Sequence, residues 1–209
     1  MRLENGDVLF QWPLALHVIT AGWTYNSGKA HNAIDLRAAI GTPVYAAENG
    51  TVDQLQVWDK KTKTGMQSYG TMCRIKHADY KGRTLHTRYA HLSELCVEIG
   101  ESVKEGQLIG FSGDTGNCLG AHLHFEVIYA QTRCNPLNWL DNDFTCKDST
   151  VAKHLGRYTS VERPKKVAAT LLYMVELQPM SAGDKDALLE WAKSRQLEAK
   201  ASEVNSDAV

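Results

Sequence analysis

Between residues 31 and 129 the chain is cut by turn signals into short apolar runs that alternate with a period of two, and this pattern constrains the fold more than any other feature. The clearest run is Ala121–Tyr129, AHLHFEVIY, in which Leu123, Phe125, Val127 and Tyr129 alternate with His122, His124, Glu126 and Ile128. Such alternation belongs to a strand with one face in the core. The same reading gives strands at His31–Leu36, Pro43–Asn49, Gly50–Trp58, Thr71–His77, Arg83–His91 and Gln107–Ser112. Ala39-Ile40-Gly41, Glu48-Asn49-Gly50 and the Gly113–Gly120 loop punctuate them. No helical period interrupts the series, so the region from 31 to 140 is expected to be one mainly β domain. Asp59–Tyr69, DKKTKTGMQSY, is polar and lysine-rich and reads as a solvated hairpin excursion.

The flanks differ. Residues 1–30 are loop-like with aromatic punctuation and are expected to pack on the core. Residues 141–165 are charged and irregular and read as a linker. Residues 166–209 read as a small strand–helix appendage with a frayed end: Val167–Gln178 is apolar and extended, and Leu188, Leu189, Ala192 and Leu197 keep helical spacing. One strand and one helix cannot bury a core alone. The appendage is therefore expected to dock, or to pair two copies, leaving monomer and dimer both open.

Composition excludes several function classes. A net charge of -1 over 209 residues argues against a general nucleic-acid binder. No apolar run is long enough for a transmembrane segment. The opening MRLENGDVLFQWPLALHVIT has early acidic residues and lacks a basic-then-apolar layout, so no signal peptide is expected. The five cysteines are odd in number and include no C-x-x-C pair, which points to mostly free thiols in place of a zinc ribbon or complete disulfide framework and leaves a single disulfide open.

His122 and His124 share one face of their strand, because positions i and i+2 do. His31-Asn32-Ala33-Ile34-Asp35 supplies a second histidine and a carboxylate, which an extended strand would bring to one face at i and i+4. His31, Asp35 and His124 together offer two imidazole nitrogens and one carboxylate oxygen. That set suits a four-coordinate zinc with its last position open, the catalytic arrangement. With eight histidines in the chain, either motif alone is weak evidence. Singly, His31 reads as a surface residue, Asp35 as a turn former and His91, in RYAHLS, as a structural strand end.

In order and spacing, HNAID, GTPVYAAENGTV, RYAHLS, IGESVKEGQLIGFSGDTG, GAHLHFEV and the closing NPLNWL make a specific pattern. Over about residues 25 to 140 the chain resembles the lysostaphin/LytM-type zinc metallopeptidases, which cut peptide bonds in bacterial peptidoglycan. The resemblance implies an antiparallel, sandwich-like β catalytic domain of the duplicated hybrid motif type. It implies one zinc ion per chain held by His31, Asp35 and His124, with His122 as general base. It further implies that His91 supports the transition state and that Tyr25 helps hold the oxyanion. Two positions depart from the family pattern: Ala33 stands where glycine is usual and Ala121 where proline is usual. Cys118 occupies a loop position commonly held by small hydroxyl residues and reads as a small loop side chain, the alternative being a thiol that reaches the zinc. Glu126 reads either as a carboxylate that orients a ligand or as an exposed edge residue, and His86 as a groove-facing residue.

The resulting expectation is a zinc endopeptidase acting on peptidoglycan peptides. It would be made in the cytoplasm and act at the cell wall, as in phage lysis. A non-catalytic LytM-fold module, binding wall or regulating an amidase, is the alternative, and such members generally lack the metal ligands. A binding module with structural zinc would instead need four protein ligands.

Overall fold

The computed structural model describes residues 1–3 and 6–159, and the strand–helix unit expected over 166–209 lies outside the described residues. The strands are β1 (Val18–Ala21), β2 (Ile34–Arg37), β3 (Pro43–Tyr45), β4 (Gly50–Gln56), β5 (Thr71–Tyr80) and β6 (Arg83–Leu95). They continue with β7 (Ser102–Val103), β8 (Leu108–Ser112), β9 (His122–Tyr129), β10 (Thr132–Cys134) and β11 (Thr145–Cys146). One short helix, α1 (Ser149–Lys153), follows.

All strands join a single sheet in the order β11-β1-β2-β9-β6-β5-β4-β7, with β8 bonded to β6 and β3, and β10 to β9. The pairings are antiparallel, as expected, except β1 with β11, which is parallel. Two tight hairpins set the register. Lys81 (φ 47°) and Gly82 (φ 72°) join β5 to β6, and Ala130 (φ 48°) and Gln131 (φ 66°) join β9 to β10. Positive φ at both central residues matches the right-handed twist of the flanking strands.

The period of two assigns the two faces. On one face Ile34, Leu36, Cys73, Ile75, Leu85, Tyr89, Leu123, Phe125 and Val127 are fully buried. Val8, Phe10, Trp12 and Leu14 from the N-terminal stretch cover them, and Trp139 and Leu140 complete the layer. Phe10 stacks on Trp139 at 5.6 Å, and the Trp12 indole donates to Asp141 Oδ1 at 2.7 Å. The opposite face carries Asp35, Arg37, Arg74, Arg88, His122, His124 and Glu126, and this is the face on which chemistry can occur.

β6 is the hinge of this arrangement. Leu85–Ala90 pairs with β9, whereas Leu92–Leu95 pairs with β8. His91 lies at the changeover with φ 60°, a left-handed conformation that costs a non-glycine residue about 1–2 kcal/mol. Outside a tight turn, strained backbone of this kind persists only where the surroundings hold it, and it clusters at functional sites.

Two flanking expectations need revision. The N-terminal stretch read as loop contains β1. Residues 141–159 of the stretch read as linker carry β11 and α1 and bury Val151 and Leu155 in the core. Asp148 caps α1, accepting from the amides of Thr150 at 2.9 Å and Val151 at 3.0 Å. The excursion at 59–69 is not simply extended. Asp59 accepts from the amides of Lys61 and Thr62, and Gly65–Tyr69 forms a 3₁₀ turn.

Candidate metal centre

Register brings the first two candidate ligands together. β2 and β9 pair so that Asp35 faces His124 and Arg37 faces His122. Asp35 Oδ1 lies 3.0 Å from His124 Nδ1. His31 arrives differently from the sequence expectation. It precedes β2, so it does not share a strand face with Asp35; Asn32, at φ 61°, turns the chain instead. His31 Nε2 then lies 3.1 Å from Asp35 Oδ1 and 3.2 Å from His124 Nδ1. One donor atom from each of His31, Asp35 and His124 lies within 4.8 Å of the others.

Hydrogen bonding decides which nitrogens are free. His31 Nδ1 is 2.7 Å from the Gly22 carbonyl, so it must carry the proton and leave the Nε2 lone pair toward the cluster. Gly22 itself is required, since a Cβ there would fall 2.4 Å from the His154 carbonyl oxygen. His124 Nε2 faces Glu126 Oε1 at 3.3 Å, so its proton belongs there and Nδ1 turns toward Asp35 and His31. The donor set is then two imidazole nitrogens and one carboxylate oxygen, each ring fixed from behind by an acceptor, and it fits zinc.

The local field also favours added positive charge. Burial works against the Asp35 carboxylate, yet His124 and His31 outweigh it and hold its pKa well below the usual carboxylate range. Burial likewise opposes a charged His124, but Asp35 and Glu126 overcome it and hold the pKa up at about 9.

His122 and His91 flank this cluster. His122 Nδ1 is 2.8 Å from the Gly120 carbonyl, which leaves Nε2 free, 3.5 Å from Asp35 Oδ1. Burial pulls the His122 pKa down, and contact with Cys118 and the Asp35 charge raise it on balance. The His91 ring centre lies 4.8 Å from that of His122, and its Nδ1 faces the Thr115 carbonyl at 2.7 Å. Burial, reinforced by the His124 charge, pushes His91 down to about 4, so it is neutral at neutral pH. Tyr25 packs its ring 4.3 Å from His31 and stays 43% exposed. His31, Asp35 and His124 therefore form one cluster, with His122 and His91 beside it and Tyr25 packed on His31.

Other sequence readings resolve as follows. Glu126 is buried, not an exposed edge residue. It binds Arg88 Nη1 at 2.8 Å and Arg133 Nε at 2.9 Å, and accepts from the Tyr69 hydroxyl at 2.9 Å. Tyr69, Arg88 and Arg133 were not singled out by sequence. Only Arg88 had a signal, since strand pairing places it opposite Glu126. His86 pairs with Asp53 at 3.3 Å, away from the cluster, and His77 is a core residue between the Asn49 carbonyl and Thr87. Cys118 Sγ lies 3.4 Å from His122 Nδ1, against the flanking histidine and not among the ligand atoms. The five cysteines are free thiols.

Residues 29–136 match the sequence model of Peptidase family M23, and this span covers more than half of the chain. The chain belongs to peptidase family M23. The lysostaphin/LytM-type resemblance of its motifs is thereby borne out. Over 129 residues this M23 chain is 36% identical to the peptidoglycan DD-endopeptidase ShyA of Vibrio cholerae, covering 61% of this chain and 26% of the relative. The chain thus spans about a quarter of the length of the curated relatives it matches first. Among solved structures, a zinc containing peptidase from Vibrio cholerae is similar at a TM-score of 0.51 and 28% identity, over 64% of this chain and 44% of that one. The catalytic domain of the prophage-encoded M23 protein EnpA from Enterococcus faecalis is similar at 0.50 and 29%, over 62% and 94%.

Proposed function

We propose that this M23 chain is a zinc-dependent endopeptidase that cuts peptide bonds in bacterial peptidoglycan. The observation that carries the reading is the convergence of His31 Nε2, Asp35 Oδ1 and His124 Nδ1 beside two further histidines whose Nδ1 atoms face carbonyl oxygens. The printed name of ShyA, a peptidoglycan DD-endopeptidase, supports the substrate class. We extend the reading to action at the cell wall in a phage-lysis setting, supported by the likeness to a prophage-encoded M23 protein.

His31, Asp35 and His124 would hold the ion. Zinc bound there would lower the pKa of a water toward neutrality and polarise the scissile carbonyl. His122 takes up a proton at Nε2, because its Nδ1–H is committed to the Gly120 carbonyl. The same nitrogen then returns the proton to the leaving amine. His91 stands against the His122 ring with its own Nδ1–H committed to Thr115, and so offers Nε2 to the reacting group. Burial and the Asp35 charge raise the pKa of the Tyr25 phenol, which stays protonated and can donate to a developing oxyanion.

Metal analysis of the purified chain, with digestion of cell walls in the presence and absence of chelator, tests the reading. We expect one zinc per chain and chelator-sensitive release of peptides. His122→Ala should keep stoichiometric zinc and lose at least about 100-fold in turnover, the usual weight of a general base. His124→Ala should lose both. Undiminished hydrolysis in the two variants would refute the roles, and zinc without hydrolysis in the wild type would identify a non-catalytic module.

A further inference from the structure

We propose that Arg37 is a substrate anchor that grips a carboxylate one to two residues from the scissile bond, which makes anionic wall peptides the preferred substrates. The inference rests on the endopeptidase reading and specifies its substrate. Arg37 pairs with His122 across β2 and β9, so both side chains rise from the same face of the sheet, one step along from Asp35 and His124. Directly paired residues hold their Cβ atoms about 4.5–5.5 Å apart. Arg37 lies two positions along the strand from Asp35, about 7 Å, which is also the span of two residues of an extended peptide.

The cations on this face are unequal. Arg74 binds Asp53 through two nitrogens at 2.9 and 2.8 Å, and Arg88 and Arg133 share Glu126. Arg37 is exposed, and among the described residues it has no carboxylate, carbonyl or ring against it. Its backbone pairs with His122 on β9, the two residues before it, Asp35 and Leu36, pair with β1 as well, and its neighbours Leu36 and Ala38 are buried. A guanidinium carried on a sheet strand, with no donor committed among the described residues and beside the proposed general base, is matched by a carboxylate, whose two oxygens fit its planar fork. Asp35, on the same strand face, is committed to His31 and His124. Peptidoglycan stem peptides carry free carboxylates on a peptide backbone, so the chemistry of the proposed substrate contains the matching group.

The test uses two synthetic cross-linked stem peptides that differ only in whether their carboxylates are free or amidated. Binding is measured on the full zinc-loaded chain in a His122→Ala background, so that the peptide survives the measurement. We expect the free-acid peptide to bind about tenfold tighter, the scale of one charge-assisted hydrogen bond. Arg37→Gln should abolish that preference while leaving the amidated peptide unaffected, Arg37→Lys should restore part of it, and rising salt should erode it. Equal affinities in the wild-type background, or equal losses on both peptides in Arg37→Gln, would overturn the proposal. Hydrolysis is read separately in the His122-containing chain, where failure to cut either peptide counts against the endopeptidase reading without touching the binding preference.

Discussion

At the scale of single residues, Glu126 and His77 show how burial gives a side chain its work. Glu126 approaches the far nitrogen of His124 at 3.3 Å and is itself held by Arg88, Arg133 and Tyr69. A carboxylate in this place fixes the ring so that Nδ1 faces the candidate metal position. Glu126→Gln should weaken zinc binding by about 10–100-fold, as outer partners of metal-bound histidines do, in a chelator competition assay. It should also lower thermal stability, because two guanidiniums lose their shared anion. A fall in stability with unchanged zinc affinity would make the residue a structural ion-pair partner only. His77 is the opposite case, a histidine kept neutral. Burial, only partly offset by contact with the Asn49 carbonyl, pushes its pKa down to about 4, against about 6.5 in an unfolded chain. The folded state therefore binds fewer protons between these values. The stability from this residue is complete above about pH 6.5 and is lost as pH falls toward about 4, a change of about 3 kcal/mol by linkage. His77→Gln removes the titration while keeping a donor and an acceptor. Its denaturation free energy should fall less steeply than the wild type's between pH 6.5 and 4.5, and parallel curves would refute the assignment.

At the scale of elements, the Gly113–Gly120 loop connects the flanking histidines to the excursion that ends at Tyr69. Thr115 offers its carbonyl to His91 at 2.7 Å, while its hydroxyl donates to the Leu92 carbonyl and accepts from the Thr71 amide. Next to it, Asn117 donates its amide to the Ser68 carbonyl at 2.9 Å. Gly116 permits this approach. Its φ is +79°, and a Cβ would fall 2.3 Å from Gly70 N and 2.5 Å from the Ser68 oxygen. Gly116→Ala should therefore destabilise the fold by more than the about 1–2 kcal/mol of left-handed strain. It should also reduce turnover through His91 while leaving zinc stoichiometry intact, since the three candidate ligands lie on β2, β9 and the turn before β2. Loss of zinc in this variant would show that the loop supports the ligands directly. The long strands were legible in the sequence because eight or more residues of alternation outweigh local noise, as in β9. β1, β7, β10 and β11 were not, because they are two to four residues long and, unlike the equally short β2 and β3, do not sit inside a longer apolar run bounded by turn signals. The candidate ligands were legible as residue types and motif order, but the way His31 reaches them was not. The left-handed turn at Asn32 leaves no periodic trace, and the i, i+4 argument grouped His31 with Asp35 through a strand geometry that the structure does not have. Tyr69 and Arg133 escaped notice because each reaches Glu126 from a turn or a hairpin arm, where spacing carries no information about contact.

At the scale of the whole molecule, one sheet separates two tasks. Its inner face is sealed by the N-terminal stretch and by the segment around Trp139, and its outer face carries the ionisable cluster. Every contact described at the candidate site is made by residues between Gly22 and His154, and the M23 match spans 29–136. The segment from 141 to 159 nevertheless belongs to the site's support. β11 pairs with β1, and the amide of Thr24 donates to the His154 carbonyl at 3.1 Å, beside the Gly22 that orients His31. A chain ended after Lys165 should therefore keep its zinc stoichiometry and its cleavage of soluble peptides. A chain ended after Leu140 should not: β1 loses a neighbour, the backbone near Gly22 loses its partner, and the Gly22 carbonyl that fixes the His31 ring loses its support. We expect weaker zinc binding and lower stability in the shorter truncation, read by chelator competition and thermal denaturation. If both truncations behaved alike, the support for His31 would have to come from β2 and β9 alone, and the segment after Leu140 would be dispensable to the metal centre.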